Sequence, residues 1–405
     1  MRIFTLKHKD DKKRIPELNI GLIGHVDHGK TTLTEAFSGK WTDTHSEEIK
    51  RGITIRIGYA DATLYKCKKC GFYSTSKKCP RCFSDCEILR TISLVDLPGH
   101  ETLMATVLSG ASLIDAALLL IAANEKCPQP QTIEHLLALE VVGIKHVIIV
   151  QNKIDLVDKE QALKNYKEIK NFIKGTSIEN APIIPLSAQQ RVNIDKLIEE
   201  LVKIPKPERD LKSPPKIYIA RSFDINKPGT RPKDLKGGVL GGTIIRGVIK
   251  KGDEIEIRPN PENIILKTKI AGIQQAGINL DCGEPGGLVG IMTTLDPSLC
   301  RADNLSGYLA GKNLPDVLDH IKLEFTKLKR AIKLGDSSIS PGDNLMINVA
   351  VSKSVGQLTS VKKKGDKQQI ELKLKLPICA EKGDMVAISK LISGRWHLIG
   401  YGKII

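Results

Sequence analysis

Between residues 19 and 205 the chain alternates short, continuously apolar runs with longer stretches in which apolar residues recur every three or four positions. NIGLIG, ISLVDLPG, DAALLLIAAN, HVIIVQNK and APIIPLSA are of the first kind and predict buried strands that end in polar loops. KTTLTEAFSG, with Gly39 near its end, PQTIEHLLALEVVG, DKEQALKNYKEIKNFIKG and NIDKLIEELVKI are of the second kind and predict helices. Strands and helices in alternation predict a parallel, doubly wound sheet, in which ligands sit at the carboxyl ends of strands.

The pattern changes after IPKPERDLKSPPK, which places four prolines in thirteen residues and reads as a linker. Beyond it, short alternating strands follow glycine-rich turns, as in GGVLGGTIIRGVIKKGDEIEIRP and GEPGGLVGIMTTL. A second boundary is expected near Leu314–Pro315, before LDHIKLEFTKL, PGDNLMINVAV, KQQIELKLKLPI and KGDMVAISKLI. A Gly-Asp pair precedes an alternating strand at Gly252-Asp253, Gly342-Asp343, Gly365-Asp366 and Gly383-Asp384. This repeated turn predicts an all-β region, and two small barrels are the natural form for it. The expected domains are residues 1–207, 208–318 and 319–405.

Composition adds compartment and partner. No run of 18 apolar residues is present, so no membrane span is expected. The opening MRIFTLKHKDDKKRIPELN lacks an apolar core and a small-residue cleavage site, which points to no signal peptide and to a cytoplasmic protein. The net charge of +16 fits a polyanionic partner such as RNA, or else a lysine-rich surface on a thermostable protein. Five of the nine cysteines fall between Cys67 and Cys86, a clustering that suits a metal site in a reducing compartment.

The chemistry lies at strand ends. Gly24-His-Val-Asp-His-Gly29-Lys30-Thr31 fits the G-x-x-x-x-G-K-[ST] phosphate loop and sits between a strand and a helix. Asp27, His28, Gly29, Lys30, Thr31 and Thr32 would offer backbone N–H groups to the phosphates, with the Lys30 ammonium on the β- and γ-phosphates and the Thr31 hydroxyl on Mg²⁺. Asp96-Leu-Pro-Gly99 ends the ISLVD strand. There Asp96 can hold Mg²⁺ through water, and the Gly99 N–H can meet the γ-phosphate. Asn152-Lys153-Ile154-Asp155 ends HVIIVQ, and Asp155 can accept from the N1–H and 2-amino groups of guanine, donors that adenine lacks. Ser187, Ala188 and Gln189 can support the base from its other side. Thr54, in Arg51-Gly-Ile-Thr54-Ile, can complete the Mg²⁺ shell in the GTP state only, or can be a plain strand threonine. These elements in this order read as a guanine-nucleotide switch. The expected fold is an α/β P-loop GTPase domain, with a doubly wound sheet and a zinc-knuckle insert, followed by two β-barrel domains.

GHVDHGKTT, RGITI, DLPGHE and NKID together resemble the translational GTPases, the group that includes elongation factor Tu. The longer stretches LSGASLIDAALLLIAANEKCPQPQTIEHL, PPKIYIARSFDINKPGT and GRWHLIGYGKI are similar to the gamma-subunit branch, found in archaeal and eukaryotic initiation factor 2. The resemblance implies a slow GTPase, core of a heterotrimer with alpha and beta subunits, that carries initiator methionyl-tRNA to the small ribosomal subunit and leaves after hydrolysis. It also implies residue roles. Thr31 and Thr54 match Mg²⁺ ligands, Asp27 and Gly52 match positions that hold a further cation, and His100 matches the catalytic histidine that orients the attacking water. Val26 and Ile53 match the apolar gate beside that histidine. Arg221-Ser-Phe-Asp224 is a candidate for the pocket that takes the aminoacyl end.

The insert CKKCGFYSTSKKCPRC, residues 67–82, has no counterpart in elongation factor Tu. Cys67, Cys70, Cys79 and Cys82 form two Cys-x-x-Cys pairs that can hold a structural Zn²⁺ tetrahedrally, or can stay reduced and metal-free; Cys86 is a bystander or a spare ligand. Two other functions remain open. One is an elongation-type carrier such as the selenocysteine-specific factor, and the other is a GTPase that regulates a metabolic enzyme without touching RNA.

Overall fold

The computed structural model describes residues 13–42, 54, 57–100, 103–259, 265–328, 338–364 and 367–405. The chain divides into two compact units, one ending at Glu208 and the other running from Arg209 to Ile405.

In the first unit the order is β1 (Leu18–Gly24), α1 (Lys30–Ser38), β2 (Gly58–Cys67), β3 (Tyr73–Ser74), β4 (Cys86–Asp96), α2 (Met104–Ala111), β5 (Ala116–Ala122), α3 (Pro130–Val142), β6 (His146–Asn152), α4 (Lys159–Ile173), β7 (Ile183–Pro185) and α5 (Ile194–Lys203). These strands form one sheet in the order β3-β2-β4-β1-β5-β6-β7. Strands β4, β1, β5, β6 and β7 are parallel. β1 and β5 are buried along their whole length, as strands covered by helices on both faces must be. α5 lays Leu197, Ile198 and Leu201 on the core, each worth about 1.5–3 kcal/mol of burial. α4 is begun by Asp158, whose carboxylate accepts from the Gln161 N–H at 2.8 Å.

The sheet is not parallel throughout. β2 runs antiparallel to β4 over its full length, and β3 runs antiparallel to β2. The cysteine-rich segment joins β2 to β4 without a crossover helix, so the second strand must return beside the first. β2 buries Ala60, Ala62 and Leu64 on alternate positions. That period of two was hidden in the sequence by alanines, which favour strands little.

The second unit holds two closed sheets. The first contains β8 (Lys216–Phe223), β9 (Val239–Arg246), β11 (Glu254–Arg258), β12 (Leu266–Gln275), β13 (Ile278–Leu280), β15 (Val289–Thr293) and β16 (Leu309–Gly311), with β10 (Ile249–Lys250) and β14 (Cys282–Gly283) in a separate ribbon. Its order is β11-β16-β8-β9-β15-β12-β13, and the pairing of β11 with β12 closes a six-stranded barrel. The second barrel is β17 (Val317–Lys327), β20 (Lys367–Cys379), β19 (Ser352–Lys364), β18 (Asn344–Val349), β21 (Met385–Ile392) and β22 (Arg395–Ile404), in that order.

Three of the four Gly-Asp turns lie among the described residues and share one construction. Gly252, Gly342 and Gly383 have φ of 92°, 96° and 95°, which a side chain would resist. Each following aspartate accepts from the N–H three residues back, Lys250, Ser340 and Glu381, at 2.7, 3.0 and 2.9 Å. The turn at Gly365-Asp366 lies outside the described residues.

Candidate nucleotide site and cysteine cluster

The parallel strands all end on one edge, and the loops that follow them converge there. β1 runs into the phosphate loop, which bends through Asp27 at φ 62° and Gly29 at φ 87° before α1 begins. A Cβ on Gly29 would strike the Asn152 side-chain amide, so glycine permits the loop to close on the end of β6. Asn152 uses that contact. Its Nδ2 donates to the His28 carbonyl at 2.9 Å, and its Oδ1 accepts from the Ala188 N–H at 3.0 Å. One buried amide thus ties the phosphate loop, the end of β6 and the end of β7 together. Behind it, Gln151 donates to Asn165 of α4 at 2.9 Å.

Lys30 is 5% exposed, and its ammonium donates to the carbonyls of Gly24 and His25 at 2.9 and 2.8 Å, which fixes where the charge stands. Thr31 donates to Asp96 Oδ2 at 2.8 Å and lies 3.2 Å from the Thr54 hydroxyl. Thr42 donates to the same Asp96 oxygen at 2.8 Å. Two threonine hydroxyls and a fully buried carboxylate therefore meet at one point. Hard oxygen donors of this kind suit Mg²⁺.

A cavity of about 320 Å³ opens over this point, lined by Val26, Asp27, Gly29, Lys30, Thr31, Thr32, Trp41, Thr54, Gly99 and Lys153. Lys153 has a left-handed φ of 62° and precedes a short helical turn, Ile154–Leu156, that carries Asp155 to the surface. Ser187 and Ala188 are buried beside Asn152, while Gln189 is exposed. Trp41, 50% exposed at the lip, was not foreseen. An aromatic residue in the polar loop SGKWTDT was the available signal. Gly52 and Ile53 lie outside the described residues. His100 is partly exposed and is not among the residues that line the cavity. The His28 ring faces inward, with Nδ1 on the Leu120 carbonyl at 2.9 Å and Nε2 near the Glu125 carboxylate at 3.2 Å, so only its backbone is turned to the loop. Burial lowers the His28 pKa and pushes His135, behind the same loop, down to about 3. The buried charge at the loop is therefore that of Lys30, and Asp27 and Lys153 add theirs at the cavity wall.

The four predicted cysteines come together. Their sulfurs all lie within 4.8 Å of one another, with Cys67–Cys82, Cys70–Cys79 and Cys70–Cys82 at 3.4, 3.4 and 3.6 Å. Tetrahedral zinc at about 2.3 Å from each sulfur would set them about 3.8 Å apart, whereas a disulfide needs about 2.05 Å. The donor set therefore fits zinc, and Cys86 stands outside it. In the barrel unit, Arg221 pairs with Asp303 at 2.8 Å and Asp224 with Arg301 at 3.0 Å, so the Arg221–Asp224 stretch is organised by local ion pairs.

Comparison with known proteins accords with this geometry. Residues 16–207 match the family described as Elongation factor Tu GTP binding domain, 237–302 match Elongation factor Tu domain 2, and 319–404 match Initiation factor eIF2 gamma, C terminal. The chain is 53% identical to Translation initiation factor 2 subunit gamma of Methanocaldococcus jannaschii over 98% of its own length and 99% of the relative's. It is 52% identical to the protein of the same name from Pyrococcus furiosus, over 97% and 98%. Among solved structures, elongation factor SelB of Methanococcus maripaludis, in complex with the GTP analogue GppNHp, superposes with a TM-score of 0.74 at 26% identity, over 98% of this chain and 80% of that one. Bacterial selenocysteine-specific elongation factor EF-Sec superposes at 0.72 with 25% identity, over 95% and 58%. The selenocysteine factors share the architecture at about half the identity seen with the gamma subunits.

Proposed function

Since the chain belongs to the gamma-subunit family of translation initiation factor 2, and is a GTPase of translation initiation, we propose that it carries initiator methionyl-tRNA to the small ribosomal subunit and that GTP hydrolysis ends the delivery. The observation that carries the reading is identity to gamma subunits along nearly the whole chain, including a C-terminal barrel matched by that family's own pattern. The working domains are residues 1–207, 208–318 and 319–405. The alpha subunit would dock on the second, the beta subunit on the first, and the assembly would act in the cytoplasm.

The switch follows from the site. The Asn152-Lys153-Ile154-Asp155 turn and Ser187-Ala188-Gln189 would hold guanine, and the loop from Asp27 to Thr32 would wrap the phosphates with the Lys30 charge among them. Mg²⁺ at the Thr31 and Thr54 hydroxyls, with Asp96 behind, would neutralise charge on the β- and γ-phosphates. Asp27 and Gly52 are proposed to serve a further cation. When the γ-phosphate leaves, Thr54 and Gly99 lose the group that orders their segments. His100 would orient the attacking water once the ribosome draws it past Val26 and Ile53. His100→Ala should lower ribosome-stimulated hydrolysis about 100-fold or more, while affinity for a GTP analogue changes less than about twofold. An unchanged stimulated rate would remove His100 from the chemistry.

The carrier function is tested by binding of initiator methionyl-tRNA to the purified chain, with a non-hydrolysable GTP analogue or GDP, with and without the alpha subunit. The expected result is binding with the analogue, strengthened by alpha and weak for elongator tRNA. Equal or absent binding in both nucleotide states would keep the switch but remove the tRNA.

A further inference from the structure

The cysteine cluster stands at the far end of the β2–β4 ladder from the nucleotide site. The ladder begins at Gly58 opposite Asp96 and ends at Cys67 opposite Cys86. Each Cys-x-x-Cys pair closes a tight turn, with the Gly71 N–H on the Cys67 carbonyl at 3.0 Å and the Phe83 N–H on the Cys79 carbonyl at 2.9 Å. The turns face the four sulfurs toward one another and leave Lys68, Lys69, Pro80 and Arg81 exposed.

What they present is an exposed ring and a set of cations. Phe83 is 77% exposed, the most exposed large hydrophobic side chain among the described residues, and its φ of 56° is one that a bulky residue resists. Two residues earlier, the exposed Arg81 guanidinium lies 4.1 Å from the centroid of the Phe72 ring, a flat cation already supported from beneath. Lys68, Lys69, Lys77 and Lys78 are exposed around these groups, and none has an ion-pair partner among the described residues. Between Lys68 and Asp85 the sequence has five cations and a single carboxylate, Asp85. The segment stays cationic even after the two negative charges of a zinc tetrathiolate are counted.

From these residues we infer that the knuckle binds single-stranded RNA, with unpaired bases stacking on Phe83 and on the Arg81–Phe72 pair and phosphates lying along the lysines. A base needs a π-face and a phosphate needs a cation, and here both are exposed on one short segment. An acidic peptide would use the lysines but gain little from a ring that stands in solvent. A duplex hides its base faces and would leave Phe83 without a partner. The site is separate from the nucleotide pocket, because no residue that lines that cavity belongs to it.

The test uses the full chain and a fluorescein-labelled 12-nucleotide single-stranded RNA containing 4-thiouridine. Crosslinks mapped by mass spectrometry are expected within residues 68–85. Phe83→Ala and Phe83→Leu should each weaken the crosslinked complex about tenfold, since leucine keeps bulk but offers no π-face. Lys77→Glu with Lys78→Glu should weaken it further and flatten the log–log salt slope by about 1.4, the amount for two phosphates on a single strand. Zinc content and GTP affinity should be unchanged in all three. Crosslinks confined to other segments, wild-type binding by Phe83→Leu, or equal competition by oligoglutamate or duplex RNA would each overturn the assignment.

Discussion

Asp155→Asn should weaken GTP binding about 100- to 1,000-fold and at the same time create affinity for xanthosine triphosphate. The carboxylate at the tip of the Ile154–Leu156 turn would offer two oxygens to the two donors on guanine. Hydrogen bonds to a charged group are worth about 1.5–3 kcal/mol each, and an amide in its place keeps one acceptor while turning a donor on the other. Xanthine carries a carbonyl where guanine carries the 2-amino group, so the asparagine amide meets an acceptor instead of a donor. Binding can be followed by the fluorescence of Trp41, which lines the cavity at 50% exposure. Asp155 lies at the surface, so the substitution should leave the melting temperature almost unmoved. A variant that binds GTP as before and ignores the xanthine nucleotide would show that the base is read elsewhere.

Removal of the metal should have an effect of comparable size, confined to one segment. Native mass spectrometry is expected to show one zinc per chain. A strong zinc chelator, or Cys79→Ser, should then collapse amide-exchange protection between residues 67 and 86. Structural zinc supplies on the order of 10 kcal/mol to segments that have little core, and here the cluster itself occupies the place of one. Cys79 is 1% exposed among the other thiols, so a serine there loses a ligand without relieving the crowding of the rest. The strands β1, β5 and β6 should keep their protection, because their cores are built from Leu22, Leu118 and Val150 rather than from the knuckle. Cys86→Ser should retain the zinc, since that sulfur lies outside the cluster. A metal-free chain with unchanged exchange would leave the sulfurs as ordinary thiols.

Much of this was legible in the sequence because it is local. The phosphate loop, Asp96, the Asn152–Asp155 turn and Ser187-Ala188 each announce themselves by residues adjacent in sequence at the end of an apolar run. The three Gly-Asp turns repeat their geometry because glycine supplies the φ and aspartate reaches its own backbone three residues away. What escaped notice depends on sheet order. The antiparallel edge follows from β2 lying beside β4, and alanines at 60 and 62 gave little strand signal. Trp41 reaches the cavity through a loop whose path no short pattern encodes. The bond from Asn152 to the His28 carbonyl crosses 124 positions, and it exists because β6 and the phosphate loop end on the same edge. The four cysteines lay between these extremes. Their spacing announced a cluster, and the hairpin that carries them brought the two pairs face to face.

The β2–β4 ladder is also a lever. Its paired register runs from Gly58 opposite Asp96, next to the threonine hydroxyls, to Cys67 opposite Cys86, with one irregularity between Leu64 and Tyr65. The Asp96 end is clamped: β1 pairs with β4 from Ile92 to Asp96, and Arg90 donates to the Leu201 and Ile204 carbonyls. The arm that projects is Cys86–Arg90 with the facing part of β2, on the order of 13 Å at about 3.3 Å per residue. A tilt of about 10° at Arg90 would move its tip by roughly 2 Å, so the sulfurs ride on the one end of the ladder that can swing.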